Sequence, residues 1–187
     1  MNVITKAAQF ANRAHEKSPA RKYTGEAYIY HPLRVAGELI LVPDVPEHVV
    51  AAGWLHDVVE DCPDFRYQFY LDFDADVIEV VGEVTNPSAL LSEAKRLRTN
   101  RRERKAMDFA HIAVASRWGK ILKLLDRDDN LNNLHLAEIG YRKLYCDETL
   151  LLIDAVLKNV VGDIIIGVLV AKLLAKVHKI AHLGVAA

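Results

Sequence analysis

The chain has 187 residues, room for one domain or for one domain with a helical appendage. Hydrophobic residues make up 51% of it and charged residues 26%, the balance of an ordinary globular protein whose core needs no staples. The formal net charge of −1 removes the electrostatic case for nonspecific binding to DNA or RNA. The two cysteines, Cys62 and Cys146, have neither metal-ligand spacing nor a disulfide framework, so a reducing cytoplasm is the expected compartment. No apolar stretch follows the first charges, and no secretory signal is expected.

The apolar period is helical along nearly the whole chain. Val3, Ile4, Ala7, Phe10, Ala11 and Ala14 mark a first amphipathic helix; Ser18 to Tyr30, with Pro19 and Gly25, reads as a loop. Pro32 suits the first position of a second helix running towards Leu41. Pro43 and Pro46 punctuate a turn, and a third helix carries Val49 to Leu55 and stops near Cys62, ahead of Pro63. Asp74 reads as a cap for a helix through Val81. Ser92 and Glu93 open a long charged helix to about Ala115, Trp118 and Gly119 mark a break, and another helix starts near Lys120. Two more follow, Tyr141 to Leu157 and Val160 to Leu183. No period-two strand and no internal repeat appears, so the expected class is all-α: a compact multi-helix fold over 1–157 with an extra amphipathic helix in 158–187. The apolar run Ile164 to Ala171 falls short of the roughly 20 residues of a membrane span. With Lys172, Lys176 and Lys179 beside it, this segment is expected to pack on the domain or on a second subunit, which leaves a homo-oligomer open and a membrane partner unexpected.

The chemistry concentrates in Trp54-Leu55-His56-Asp57-Val58-Val59-Glu60-Asp61. Helical spacing puts His56 with Glu60 and Asp57 with Asp61, so three carboxylates crowd the end of an otherwise apolar helix. Like charges repel there, and the negative end of the helix dipole disfavours acids. A bound cation removes both objections. Upstream His31 and downstream Asp126 add an imidazole and a carboxylate, a mixed set suited to Mn, Fe or Zn without choosing among them. His15, His48, His111, His135, His178 and His182 have no close ligand partner and read as surface or packing residues. The basic stretch Lys95, Arg96, Arg98, Arg101, Arg102, Arg104 and Lys105 reads mainly as a solvated helix face, a few of whose residues would reach a polyphosphate if the stretch borders the site.

Several ordered pieces together resemble the HD-superfamily hydrolases, and within them the (p)ppGpp hydrolase domain of RelA/SpoT proteins and its small stand-alone, Mesh1-like forms. They are Ala14-His15, Arg21 to Gly25, Tyr28 to Ala36, Leu55 to Asp61, Glu83-Val84-Thr85, Lys123 to Arg127 and Asn130-Leu131. The resemblance implies an HD-domain fold, with His31, His56, Asp57 and Asp126 as Mn ligands and Glu60 and Asp61 positioning and activating the attacking water. It implies further that Arg21 and Lys22 lie beside the nucleotide base, that Asn130 contacts sugar or base, and that Lys123 and Tyr145 touch the substrate. The implied reaction removes the 3′-pyrophosphate of guanosine tetra- or pentaphosphate, giving GDP or GTP and pyrophosphate. A divalent ion polarises a phosphoryl oxygen and acidifies water, and a nearby carboxylate takes the proton. The chain is too short for an accompanying synthetase domain.

The sequence departs from that pattern in the loop between His15 and Arg21, which lacks Gly-Gln and is one residue longer. Leu125 replaces a small residue, Asp128 and Asp129 stand where a less acidic pair is usual, and Asn133 replaces Thr or Asp. These departures fall on the expected base pocket. They keep open an HD phosphohydrolase acting on another nucleotide, such as a dNTP, NADPH or another purine polyphosphate. A non-catalytic nucleotide-sensing module is the third reading, disfavoured by the retention of Glu60 and Asp61.

Overall fold

The computed structural model describes residues 1–183, and these form helices, single 3₁₀ turns and connecting loops, with no strand among the described residues. Residues 184–187, the end of the expected C-terminal extension, lie outside them. The helices are α1 (Val3–Ala14), α2 (Tyr30–Ile40), α3 (Glu47–Leu55), α4 (Val58–Asp61), α5 (Arg66–Asp72), α6 (Ala75–Val84), α7 (Glu93–Arg98), α8 (Arg101–Ala113), α9 (Arg117–Asn132), α10 (Ile139–Leu157) and α11 (Ile164–His182).

Two helices are buried and the rest wrap them. In α3, Val49, Val50, Ala51, Ala52, Gly53 and Leu55 are all buried, as expected of a helix that is apolar on every side. It packs against α1, α2 and α6. In α9 every residue from Gly119 to Asp129 is buried, although Lys120, Lys123, Asp126, Arg127, Asp128 and Asp129 are charged types. Helices α2, α6, α8, α10 and α11 surround α9. The apolar residues of α11 that are buried, Ile166, Val170, Leu173, Val177 and Ile180, recur at helical spacing and face α9 and α10. No described helix is long and apolar enough to cross a membrane.

Several boundaries differ from the sequence reading, each for a local reason. The long charged helix is two, α7 and α8, because Asn100 and Glu103 form a reciprocal capping box that starts α8 afresh. Trp118 and Gly119 do not interrupt α9, which begins earlier at Arg117; the Ser116 side chain caps it by accepting from Gly119 N. Asp74 precedes α6 but makes no side-chain cap bond. Helix α11 starts at Ile164, after Gly162 with φ +72°, and Asp163 caps it by accepting from Ile166 N. Helix α5 has too little apolar period to be seen: of its residues only Phe69 is buried.

The approach of α2 to α3 depends on Gly53. A Cβ there would stand 2.5 Å from Leu39 Cδ1 and 3.2 Å from Ala36 Cα, so a side chain requires Leu39 to turn aside and the α2 backbone to give by a few tenths of an ångström. Gly37, on the outer face of α2, would meet nothing within 4 Å. Gly53→Ala is therefore expected to destabilise the protein by about 1–3 kcal/mol through overpacking, while Gly37→Ala gains up to about 1 kcal/mol from helix propensity. Denaturant unfolding of both variants checks the contrast, and equal behaviour would show that the two helices part freely.

Candidate metal centre

Close packing of α2 on α3 brings together two histidines that lie far apart in the sequence. His31 is the second residue of α2, and His56 is the residue at which α3 ends. Their Nε2 atoms are 3.2 Å apart. From α9, Asp126 Oδ1 stands 3.3 Å from His31 Nε2 and 3.8 Å from His56 Nε2. His31, His56 and Asp126 thus offer donor atoms all within 4.8 Å of one another. Asp57 Oδ2 adds a fourth contact, 3.4 Å from His31 Nε2 and 3.3 Å from His56 Nε2. Donors bonded to one ion at about 2.0–2.2 Å sit roughly 3–3.5 Å apart, so the set fits a divalent cation.

The far side of each imidazole is committed. His31 Nδ1 donates to Asp129 Oδ2 at 2.7 Å, and His56 Nδ1 donates to the Gly53 carbonyl at 2.9 Å. Both rings are thereby fixed in the tautomer that turns a lone pair inward at Nε2. Asp129 is itself held by Arg34, through Nε to Oδ1 at 2.6 Å and Nη2 to Oδ2 at 3.1 Å. Arg34 also grips Glu26 with two bonds of 3.1 and 2.6 Å. Burial opposes protonation of His31, but hydrogen bonds to Asp126, Asp129 and Asp57 outweigh it and raise its pKa to about 11. His56 follows to about 9, burial again being outweighed, here by Asp57 and Asp126. Burial would raise Asp57 and Asp126, yet His56 and Lys123 respectively lead the partners that hold them well below the carboxylate range.

The two carboxylates after this cluster diverge. Glu60 accepts from Asn86 N at 2.6 Å and from Asn86 Nδ2 at 3.2 Å; burial raises its pKa against the pull of Lys123. Asp61 meets the Tyr28 hydroxyl at 2.8 Å, and the same hydroxyl is 2.7 Å from Asp57 Oδ2. Burial and the charge of Asp57 raise the pKa of Asp61, against the hydrogen bond from Tyr28. His15 stacks on Tyr28 with centroids 4.7 Å apart and is buried, which is the packing role read from the sequence.

A cavity of about 270 Å³ opens beside the cluster, its wall including Arg21, Tyr28, Lys123, Arg127, Asn130 and Tyr145. Arg21 donates to Asn130 Oδ1 at 2.7 Å, Asn130 Nδ2 donates to Asp126 Oδ1 at 2.6 Å, and Lys123 Nζ lies 3.2 Å from Asp126 Oδ2. Arg101 and Lys105 of the basic stretch also line it. A neighbouring cavity is bordered by Pro19, Lys22, Tyr23 and Asn133, and it shares Arg21, Tyr28, Asn130, Tyr141 and Tyr145 with the first. Lys22 is therefore on the second cavity alone, and Glu60 faces a third with Arg96, Arg101, Arg104 and Lys105.

The acidic pair lies away from both cavities. Asp129 orients His31, and Asp128 faces α11, 2.9 Å from Lys172 Nζ and 2.7 Å from Lys176 Nζ; neither lines the two cavities. Leu125 is likewise a core residue, 3% exposed. Sequence reasoning missed Asp129, Arg34, Asn86, Tyr28 and Arg127 as parts of the site. The spacing of Asp129 three residues after Asp126, and of Arg34 three after His31, held a signal, since both put a charge one turn from a ligand candidate.

The sequence profile of the HD domain family matches residues 7–162. A protein of Xenopus tropicalis named guanosine-3′,5′-bis(diphosphate) 3′-pyrophosphohydrolase MESH1 is 32% identical over 133 residues, covering 71% of this chain and 69% of that one. A probable guanosine-3′,5′-bis(diphosphate) 3′-pyrophosphohydrolase of Mycoplasma pneumoniae is 26% identical over 151 residues, covering 79% of this chain but 20% of that protein; the chain spans about a fifth of its length. Among solved structures, one described as a metazoan ortholog of SpoT that hydrolyses ppGpp superposes with a TM-score of 0.73 at 24% identity, covering 96% of each chain. That likeness establishes the fold.

Asp129→Asn keeps the shape of the side chain but loses the charge that orients His31 and anchors Arg34. It is expected to weaken divalent-metal binding about 10- to 100-fold, read by calorimetric titration of metal into the chelator-treated protein. Because the neighbouring carboxylates raise the pKa of both histidines, protons compete with the metal for the cluster, and binding is expected to release protons and tighten as the pH rises. Calorimetry in buffers of different ionisation enthalpy measures that release; no release at pH 7 would contradict the reading of the donor set.

Proposed function

We propose a function from one premise: the chain belongs to the HD domain family. The reading is metal-dependent hydrolysis of the 3′-pyrophosphate of guanosine tetra- or pentaphosphate, giving GDP or GTP and pyrophosphate. The observation that carries it is the convergence of His31, His56, Asp57 and Asp126, of which His31, Asp57 and Asp126 line a cavity that Arg21, Arg101, Lys105, Lys123 and Arg127 also line. Those four residues would hold the ion, and Mn is our choice of metal. When bound, a divalent ion supplies Lewis acidity at a phosphoryl oxygen and acidifies the attacking water.

The remaining work falls to side chains. Glu60 and Asp61 have pKa values raised by burial, which makes each a better proton acceptor than a solvated carboxylate. Tyr28 fixes Asp61 relative to Asp57. Arg21, Lys123, Asn130 and Tyr145 are the substrate-binding candidates on the first cavity, with Lys22 on the second. Arg101 and Lys105 offset substrate charge. A nucleotide substrate agrees with the cytoplasmic location expected from two buried, unpaired cysteines.

A second reading, an HD phosphohydrolase for another nucleotide, is favoured by one feature. Pro19 and Ala20, from the loop that departs from the family pattern, border the second cavity directly. Incubating the purified chain with Mn and ppGpp separates the two: intact pyrophosphate and GDP support the first reading, whereas orthophosphate or no turnover supports the second. Within either reading, Glu60→Gln and Asp61→Asn are expected to lower kcat by about 10²- to 10⁴-fold while metal content measured by elemental analysis stays the same. Wild-type turnover by both variants would remove them from catalysis.

A further inference from the structure

Arg127 is the one cation of the first cavity that no carboxylate or amide answers among the described residues. Its side chain is 7% exposed and lines the cavity wall, and its Nη1 is buried with no hydrogen-bond partner. The other cationic side chains of that wall are engaged. Arg21 donates to Asn130, and Lys123 pairs with Asp126. Arg101 holds Glu148 with bonds of 2.6 and 3.0 Å, and Lys105 lies 3.2 Å from Asp108 Oδ2. Arg127 has only the ring of Tyr145, whose centroid is 4.4 Å from the guanidinium carbon.

That arrangement has a direction. Stacking on an aromatic face occupies the flat side of a guanidinium and leaves the N–H groups at its edge free to bind. Arginine cannot relieve its burial by losing a proton, and an unpaired buried charge is destabilising. A planar fork of donors, held flat and unanswered, matches the oxygens of a phosphate, which it grips with two parallel bonds. On α9 the sequence Lys123, Asp126, Arg127, Asn130 follows helical spacing, and all four line the same cavity.

We propose that Arg127 is the seat of a phosphate group of the bound nucleotide, with Tyr145 as the positioning residue that holds its guanidinium. The proposal rests on the nucleotide reading above and adds to it a specific anion subsite. The substrate class it selects is a nucleotide that presents a phosphate to α9 at this point.

The test uses inorganic pyrophosphate as probe, titrated calorimetrically into the full chain after removal of divalent ions, with wild type, Arg127→Met and Tyr145→Leu. The expected result is at least about tenfold weaker pyrophosphate binding in both variants, as for loss of a bidentate charged contact. Arg127→Met should also leave the melting temperature unchanged or higher, because an unanswered charge has gone from the interior. In turnover, its KM should rise more than its kcat falls. A lower melting temperature with unchanged pyrophosphate affinity would make Arg127 a packing residue and overturn the proposal, as would a wild type that does not bind pyrophosphate at all. Should Arg127→Met fail to fold, Arg127→Gln reads the same affinity: weakened binding supports the subsite and unchanged binding overturns it. Because the titration needs no turnover, absence of ppGpp hydrolysis would refute the proposed reaction while leaving this measurement decisive, and a ppGpp-hydrolysing enzyme with an indifferent Arg127 would refute the subsite alone.

Discussion

Two imidazole nitrogens face each other at 3.2 Å, and each ring has already spent its other nitrogen as a donor, to Asp129 or to the Gly53 carbonyl. Two lone pairs at that distance repel unless positive charge lies between or beside them. The fold therefore demands a cation or a proton at this point, and the carboxylates of Asp57 and Asp126 sharpen the demand. Without a metal a proton can answer it, and the carboxylates around the two rings, Asp57 and Asp126 for both and Asp129 for His31, raise their pKa values above the ordinary range. Metal binding and proton release are two faces of one electrostatic constraint.

Helix α9 serves that constraint from every side. A buried helix is ordinarily apolar all round, yet α9 carries charges on several flanks, and different neighbours answer its carboxylates. Asp126 meets the histidines and Lys123, Asp129 meets His31 and Arg34 of α2, and Asp128 meets Lys172 and Lys176 of α11. Lys176 also donates to the Asp128 carbonyl and to Asn132. Buried ion pairs of this kind add little net stability, but breaking one leaves a costly uncompensated charge. Their effect is to fix the rotation of α9 about its axis, and that rotation decides which residues face the cavity.

The helical class was legible because the apolar period runs through nearly every segment: Ala7, Phe10 and Ala11, or Val77, Val80 and Val81, are buried where their spacing says they should be. Boundaries were less so, since a capping box at Asn100 and Glu103 can restart a helix inside a charged stretch whose composition does not change. At the candidate site, His31, His56, Asp57 and Asp126 were found as residue types in an order, and the structure brings them together. What the sequence could not tell was the direction of charged side chains on a helix with no wet face. The usual rule sends charges outward, and on α9 there is no outside. Asp128 and Asp129, adjacent in the chain, consequently serve two different helices, and Tyr28, an ordinary aromatic in a loop, became a bridge between two carboxylates.

This redistribution changes what the departures from the family pattern mean. With Asp128 turned to α11 and Asp129 turned to His31, the acidity after Arg127 is structural charge, not a change in the surface a nucleotide would meet. Leu125 is spent in the core as well. The differences that do reach a cavity wall are the Pro19-Ala20 loop and Asn133, both on the second cavity and neither on the first. The wall beside the donor cluster thus keeps the residues of the family pattern, while the wall a few residues away carries the departures. Under the proposed hydrolase reading, the departures therefore concern recognition rather than reaction: the choice among nucleotides would belong to the segment between His15 and Tyr28, which borders the second cavity, while the donor cluster and α9 would carry the chemistry.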